Sequence, residues 1–142
     1  MVKNAKDSPS SKPTGERRML HTMFRVTDLA SSVSFYTKVL GMRVLRKLDQ
    51  PDDGYTLVFL GFDDESSSCV LELTYNYGVT HYDPGSAFGH IAISVEDCVK
   101  ACTEIRVRGG KITLEPRVLK GTDETIAFAS DPDGYQIELI QR

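Results

Sequence analysis

Short stretches of strand-forming residues alternate along this chain with stretches of helical period. Leu20–Val26 has the length and mix of a strand. Directly after it, Leu29, Val33, Tyr36 and Leu40 recur at i, i+4, i+7 and i+11, which predicts a helix with one apolar face. Asp28 stands at the N-cap position, and Gly41 stops the helix as a residue free to turn left-handed. Arg43–Lys47 is predicted as a second strand and Gln50–Gly54 as a surface loop. Tyr55–Phe62 and Ser68–Tyr75 follow as a hairpin turning at Asp63–Ser67. Then the order begins again. Gly89–Val95 is a strand, and Asp97 caps a helix that points Cys98, Ala101, Cys102 and Ile105 inward. Gly109-Gly110 ends that helix, and Lys111–Glu115 is a strand followed by a loop over Pro116–Glu124. Thr125–Ser130 and Tyr135–Gln141 flank Asp131-Pro-Asp-Gly134, a turn by its chemistry: proline presets φ, aspartate accepts local hydrogen bonds and glycine closes the bend. The pattern is βαβββ twice, an α+β fold joined through residues 76–88.

Sliding the sequence by 69 residues aligns the two halves. His21 falls on His90, Asp28 on Asp97, Gly41 on Gly110, Leu45 on Leu114, Thr56 on Thr125 and Phe59 on Phe128. Glu72 and Glu138 match at an offset of 66, which places the difference in a tighter last hairpin of the second half. The matches fall at strand starts, a helix cap, a helix stop and strand interiors, the positions that duplication preserves. The two glutamates lie in near-identical frames, Val70-Leu-Glu-Leu73 and Gln136-Ile-Glu-Leu139. A glutamate between large aliphatics is costly if buried without a partner, and strand alternation can instead turn it away from the core. Two imidazoles and two carboxylates in matched pairs suit one octahedral Ni, Co, Fe, Mn or Zn ion and leave two positions for water or substrate. Open metal positions beside a carboxylate suit Lewis-acid and proton-transfer chemistry.

Composition bounds the rest. The 142 residues are 40% hydrophobic and 26% charged, enough for one compact domain with a sizeable core. No apolar stretch reaches the length of a membrane span, so no membrane partner is expected. Residues 1–18 carry a net charge of +3 and the remainder −6, within a whole-chain charge of −3. The acidic body argues against a nucleic-acid partner. Residues 1–18 are rich in Ser, Lys and Pro and read as a disordered leader before a domain over 19–142. That leader lacks the apolar stretch of a secretory signal; a transit peptide is its other reading, against which Asp7 and Glu16 count. Cys69, Cys98 and Cys102 are odd in number and lack CxxC spacing, which fits a reducing compartment, the cytoplasm. Cys98 and Cys102 read as small core-facing thiols, with zinc ligation the alternative.

Several motifs in fixed order then resemble one family. His21-Thr-Met-Phe-Arg25-Val, Phe35-Tyr-Thr-Lys-Val-Leu-Gly41-Met, Glu72-Leu-Thr-Tyr-Asn76, Gly89-His90-Ile-Ala and Asp131-Pro-Asp-Gly-Tyr-Gln-Ile-Glu138-Leu resemble the glyoxalase I family, from about Met19 to Gln141. The resemblance is strongest to the short, bacterial-type members. It implies the vicinal-oxygen-chelate fold, with module one about 19–76, a linker about 77–88 and module two about 89–142. It also implies a homodimer whose first module meets the partner's second. Each site would take His21 and Glu72 from one subunit and His90 and Glu138 from the other as metal ligands. Zinc-dependent members usually carry Gln at the first ligand position, so His21 is similar to the nickel- or cobalt-activated class. The implied reaction is isomerisation of the methylglyoxal–glutathione hemithioacetal to S-D-lactoylglutathione, a methylglyoxal detoxification. Glu138 is implied as the proton-transferring base, with Glu72 its rival in a nearly symmetric site. Arg25 and Asn76 match positions that hold the γ-glutamyl end of the thiol, and Lys120 a loop lysine that reaches the glycyl carboxylate. An arginine that larger zinc-type enzymes carry is Ser86 here, which leaves glutathione and a polyamine-conjugated glutathione both open as the thiol. Ring-cleaving dioxygenases and antibiotic-inactivating thiol transferases of this fold use one glutamate, and drug-binding modules need no metal. Glu72 therefore argues against all three. An acyl-CoA epimerase has a similar ligand set, but the Glu72–Asn76 motif and Lys120 fit the glutathione reading better.

Overall fold

A computed structural model describes residues 14–142. The leader expected over residues 1–18 thus lies mostly outside the described residues. Residues 14–18 run along the surface, where the Arg18 guanidinium donates to the carbonyls of Glu65 and Ser68.

Two four-stranded sheets repeat one topology. In the first half, β1 (His21–Arg25), α1 (Leu29–Ser34), β2 (Arg43–Gln50), β3 (Tyr55–Gly61) and β4 (Val70–Asn76) build a sheet in the order β1-β4-β3-β2. In the second, β5 (His90–Ser94), α2 (Cys98–Val107), β6 (Lys111–Val118), β7 (Thr125–Ser130) and β8 (Gln136–Gln141) give β5-β8-β7-β6. The first strand of each module lies parallel to its last, and the other pairings are antiparallel. This is the expected βαβββ plan, twice.

The caps act as the sequence implies. Asp28 accepts from the Ser31 amide and Asp97 from the Lys100 amide, each satisfying a first-turn donor that the helix cannot. Gly41 leaves the first helix at φ 83°. Three local expectations need correction. The last turn of the first helix, Phe35–Val39, is π-helical, with the Leu40 amide bonded to the Phe35 carbonyl and the Met42 amide to that of Tyr36. Strand β2 continues past Lys47 to Gln50, so the turn shrinks to Pro51–Gly54. Strand β6 runs through Pro116 to Val118, although a proline cannot donate to a ladder. It is tolerated because β6 is an edge strand and its register slips between Leu114 and Arg117, a bulge that needs no amide there.

One apolar cluster joins both halves. Phe24, Tyr36, Leu60, Leu71 and Leu73 of module one meet Cys98, Cys102, Ile105, Ile137 and Leu139 of module two. Each fully buried aliphatic contributes about 1.5–3 kcal/mol relative to exposure. Cys98 and Cys102 are buried in this core, and burial pushes both thiols up. The modules are also clasped by polar groups. Tyr36 Oη donates to Asp131 Oδ2 at 2.7 Å, and the Thr27 hydroxyl to Asp133 Oδ1 at 2.6 Å. With Leu71, Leu73, Ile137 and Leu139 in the core, alternation turns their neighbours Glu72 and Glu138 onto the opposite sheet faces. No helix among the described residues is long and apolar enough to cross a membrane.

Candidate metal and active site

The parallel pairing of β1 with β4 sets the first half of the site. Met23 lies beside Glu72 in the register and His21 beside Val70, so His21 sits one diagonal step from Glu72 on the same face. His21 Nε2 is 3.0 Å from Glu72 Oε2. Module two repeats this through β5 and β8: Ala92 lies beside Glu138, His90 beside Gln136, and His90 Nε2 is 2.8 Å from Glu138 Oε2. In both pairs the histidine side chain is 41% exposed while the glutamate keeps only 12% or 13%, so the carboxylate is seated in the sheet and the imidazole faces outward.

An aromatic ring steadies each imidazole. Phe59, the register neighbour of Glu72, meets the His21 ring edge-on at 5.7 Å between centroids. Phe128, the neighbour of Glu138, meets His90 in the same way at 5.1 Å. The repeat had matched Phe59 to Phe128, and only the cross-strand register reveals that both belong to the site. The donors fit a divalent metal, since each half-site presents one imidazole nitrogen and one carboxylate oxygen close together on an open face. Among the described residues, no three His, Cys, Asp or Glu side chains of one chain are placed to hold an ion. The structure therefore forms two separate His–Glu pairs and does not bring the four ligand candidates together within one chain.

The same alternation carries Arg25 onto the face of His21, and Asn76 onto that of Glu72. Arg25 ends β1 and lines a cavity of about 270 Å³ together with His81, Tyr82, Asp133 and Tyr135. Asn76 ends β4 and donates from Nδ2 to Tyr82 Oη at 3.0 Å, a linker contact that no pattern in the sequence announces. Tyr135 Oη holds the Arg25 carbonyl at 2.8 Å. Lys120 is exposed on the turn between β6 and β7, which the Thr122 amide closes onto the Leu119 carbonyl. It belongs to module two and stands apart from the Arg25–Asn76 pair in sequence and sheet. A cavity of about 610 Å³ along β5 and the start of β4 contains none of the four ligand candidates.

Fold and site together define a duplicated βαβββ protein with a His–Glu pair on the open sheet face of each module. The chain belongs to the Glyoxalase/Bleomycin resistance protein/Dioxygenase superfamily, whose family model matches residues 18–139. That membership implies a divalent metal. It is 55% identical over 124 residues to a probable lactoylglutathione lyase of Vibrio cholerae, covering 87% of this chain and 90% of that one. It is 53% identical over 126 residues to a lactoylglutathione lyase of Arabidopsis thaliana, covering 89% of this chain and 44% of the plant protein. The chain therefore spans about half the length of the plant relatives it matches. Among solved structures, the trypanothione-dependent glyoxalase I of Leishmania major superposes with a TM-score of 0.79 at 55% identity, covering 89% of this chain and 87% of that one.

Proposed function

We propose that this chain is a glyoxalase I that isomerises the hemithioacetal of methylglyoxal and glutathione to S-D-lactoylglutathione, and so detoxifies methylglyoxal in the cytoplasm. The supporting observation is the pair of equivalent His–Glu half-sites on the open sheet faces of a chain 55% identical to a probable lactoylglutathione lyase. Two half-sites per chain call for a second copy: His21 and Glu72 of one subunit with His90 and Glu138 of another complete a four-ligand shell.

His21, Glu72, His90 and Glu138 would hold a divalent ion, Ni2+ or Co2+ in preference to Zn2+ by the His21 criterion, and that ion would supply Lewis-acid stabilisation for negative charge developing on the substrate. Glu138 takes the proton from C1, the C–H electron pair forms a C1–C2 double bond, and the C2 carbonyl oxygen receives the displaced pair. Glu138 then returns the proton to C2, while the C1 hydroxyl proton passes to the C2 oxygen. A thioester stands at C1 and a hydroxyl at C2, and atoms and electrons balance without an oxidant. A positioned carboxylate base contributes about a hundredfold to ten-thousandfold. Glu72, in the mirrored position, is the ligand that remains in place. Arg25 and Asn76 hold the γ-glutamyl end of the thiol, and Lys120 of the other module closes on its glycyl carboxylate. Glutathione is preferred over a polyamine conjugate, since Lys120 requires a free glycyl carboxylate and a conjugated amide has none.

The test is thioester formation from methylglyoxal and glutathione by metal-stripped protein given Ni2+, Co2+ or Zn2+. The expected order is Ni2+ or Co2+ above Zn2+, and Glu138→Gln should lose about a hundredfold or more in kcat with its metal content retained. No thioester with any of the ions, or full rate in Glu138→Gln, would overturn the mechanism.

A further inference from the structure

A turn at the end of β4 brings the linker back over the site. The Val79 amide donates to the Asn76 carbonyl, and Gly78 takes φ 80° in the third place of the turn, where glycine is favoured. Tyr82 thereby returns to the side chain of Asn76, whose Nδ2 donates to Tyr82 Oη at 3.0 Å. A carboxamide has a donor end and an acceptor end, and a half-turn exchanges them. With Nδ2 tied to the phenol, the oxygen Oδ1 is the end left for a ligand.

Arg25 is the register neighbour of Thr74, two residues before Asn76, so Arg25 and Asn76 repeat the diagonal step of His21 and Glu72. Among the described residues the Arg25 guanidinium has no ion pair. It lines a cavity of about 190 Å³ with Tyr82, Asp83 and Tyr135. The carboxylates nearby are engaged: Asp83 Oδ1 accepts from the Gly85 amide, and Asp133 Oδ1 from the Thr27 hydroxyl. An unpaired guanidinium and an amide oxygen on one face complement an α-amino-acid group, the carboxylate meeting the donor and the ammonium the acceptor. Module two lacks this pair. Ser94 and Arg142 stand in the equivalent places, at offsets of 69 and 66, and Arg142 pairs with Glu124.

We propose that Tyr82 is a positioning residue that fixes the Asn76 amide with Oδ1 toward the α-ammonium of the γ-glutamyl end, so that the linker sets how tightly the thiol is held. This rests on the glyoxalase reading above. Tyr82 acts through Asn76 and not on the reacting atoms. Without its hydroxyl the amide is free to turn its NH2 to the ammonium, where two donors meet and neither is satisfied.

The experiment measures kcat and KM for the methylglyoxal hemithioacetals of two thiols, glutathione and glutaryl-cysteinylglycine, which is glutathione without its α-amino group. Wild type, Tyr82→Phe, Asn76→Ala and the double variant are compared, loaded with Ni2+ and checked for a cooperative melt. Tyr82→Phe should raise KM for the glutathione adduct about two- to tenfold, the worth of one hydrogen bond, with kcat kept. KM for the des-amino adduct should stay as in wild type, and Tyr82→Phe should add nothing to Asn76→Ala. An equal rise for both adducts, no rise for either, or additivity of the two changes overturns the proposal and leaves the glyoxalase reading standing. Should Tyr82→Phe fail to melt cooperatively, proton exchange of the Asn76 side-chain amide in wild type decides: exchange slower than in a free asparagine amide supports the hold, and exchange as fast overturns it. A wild type inactive on the glutathione adduct overturns the glyoxalase reading and the proposal with it.

Discussion

At the scale of single residues, the chemistry divides into groups meant to react and groups that only hold. Tyr36 and Asp131 are of the second kind. Burial pushes the Tyr36 phenol well above its ordinary range, so it stays a donor. Burial also raises the Asp131 carboxyl above the usual carboxylate range, against the pull of hydrogen bonds from Tyr36 and from the Tyr135 and Asp133 amides. An acid whose folded form holds its proton more tightly stabilises the fold most fully below the unfolded pKa. That stability is lost as pH rises through the folded value. Urea midpoints of wild type should therefore fall from acid toward neutral pH by an amount that Asp131→Asn abolishes; an equal slope in both would refute the assignment. Of the site residues, the four ligand candidates were legible in the sequence because duplication wrote them twice. The stacking of Arg46 on the Phe59 ring was not legible: it depends on a register shift in β2 between Val44 and Arg46, without which the side chain would face the helices. Phe59 and Phe128 showed in the repeat as matches, but their contact with the imidazoles depends on cross-strand register.

At the scale of elements, the chain is read well where local chemistry decides and poorly where tertiary packing does. The caps at Asp28 and Asp97 and the left-handed Gly41 follow from side chains within one turn, and each was visible. Strand β6 through Pro116 was not, because only its place at the sheet edge makes a proline harmless. Nor was the π-helical turn, whose extra residue nothing in the apolar period marks. Gly110 separates these cases further. A Cβ there would meet Ile105 Cγ2 at 2.5 Å and Val39 Cγ1 at 3.0 Å, where the second module approaches the end of the first helix. At Gly41 a Cβ meets nothing within 4 Å, and only its φ of 83° resists substitution. Gly110→Ala should lose about 1–3 kcal/mol by overpacking, and Gly41→Ala about 1–2 kcal/mol by backbone strain alone. Guanidinium denaturation checks both. The two explanations separate on adding Val39→Ala, which should recover part of the loss at Gly110 and none at Gly41.

At the scale of the whole molecule, the proposed function has each chain offer half of two sites. On the proposed pairing, mixing inactive His21→Ala chains with inactive Glu138→Gln chains yields heterodimers in which one site carries both lesions and the other neither. Activity should return when subunits exchange and stay absent when they are cross-linked beforehand. Absence in both would mean that the pairs do not combine across chains. The divided site also has a bearing on inheritance. When altered and unaltered copies of the gene are expressed together, a lesion in one half-site lowers the number of working sites in proportion to the altered share. A chain altered in both half-sites spoils every site it enters, so working sites fall with the square of the unaltered share. Single changes should therefore act by dosage, and paired changes on one allele should act as dominant poisons.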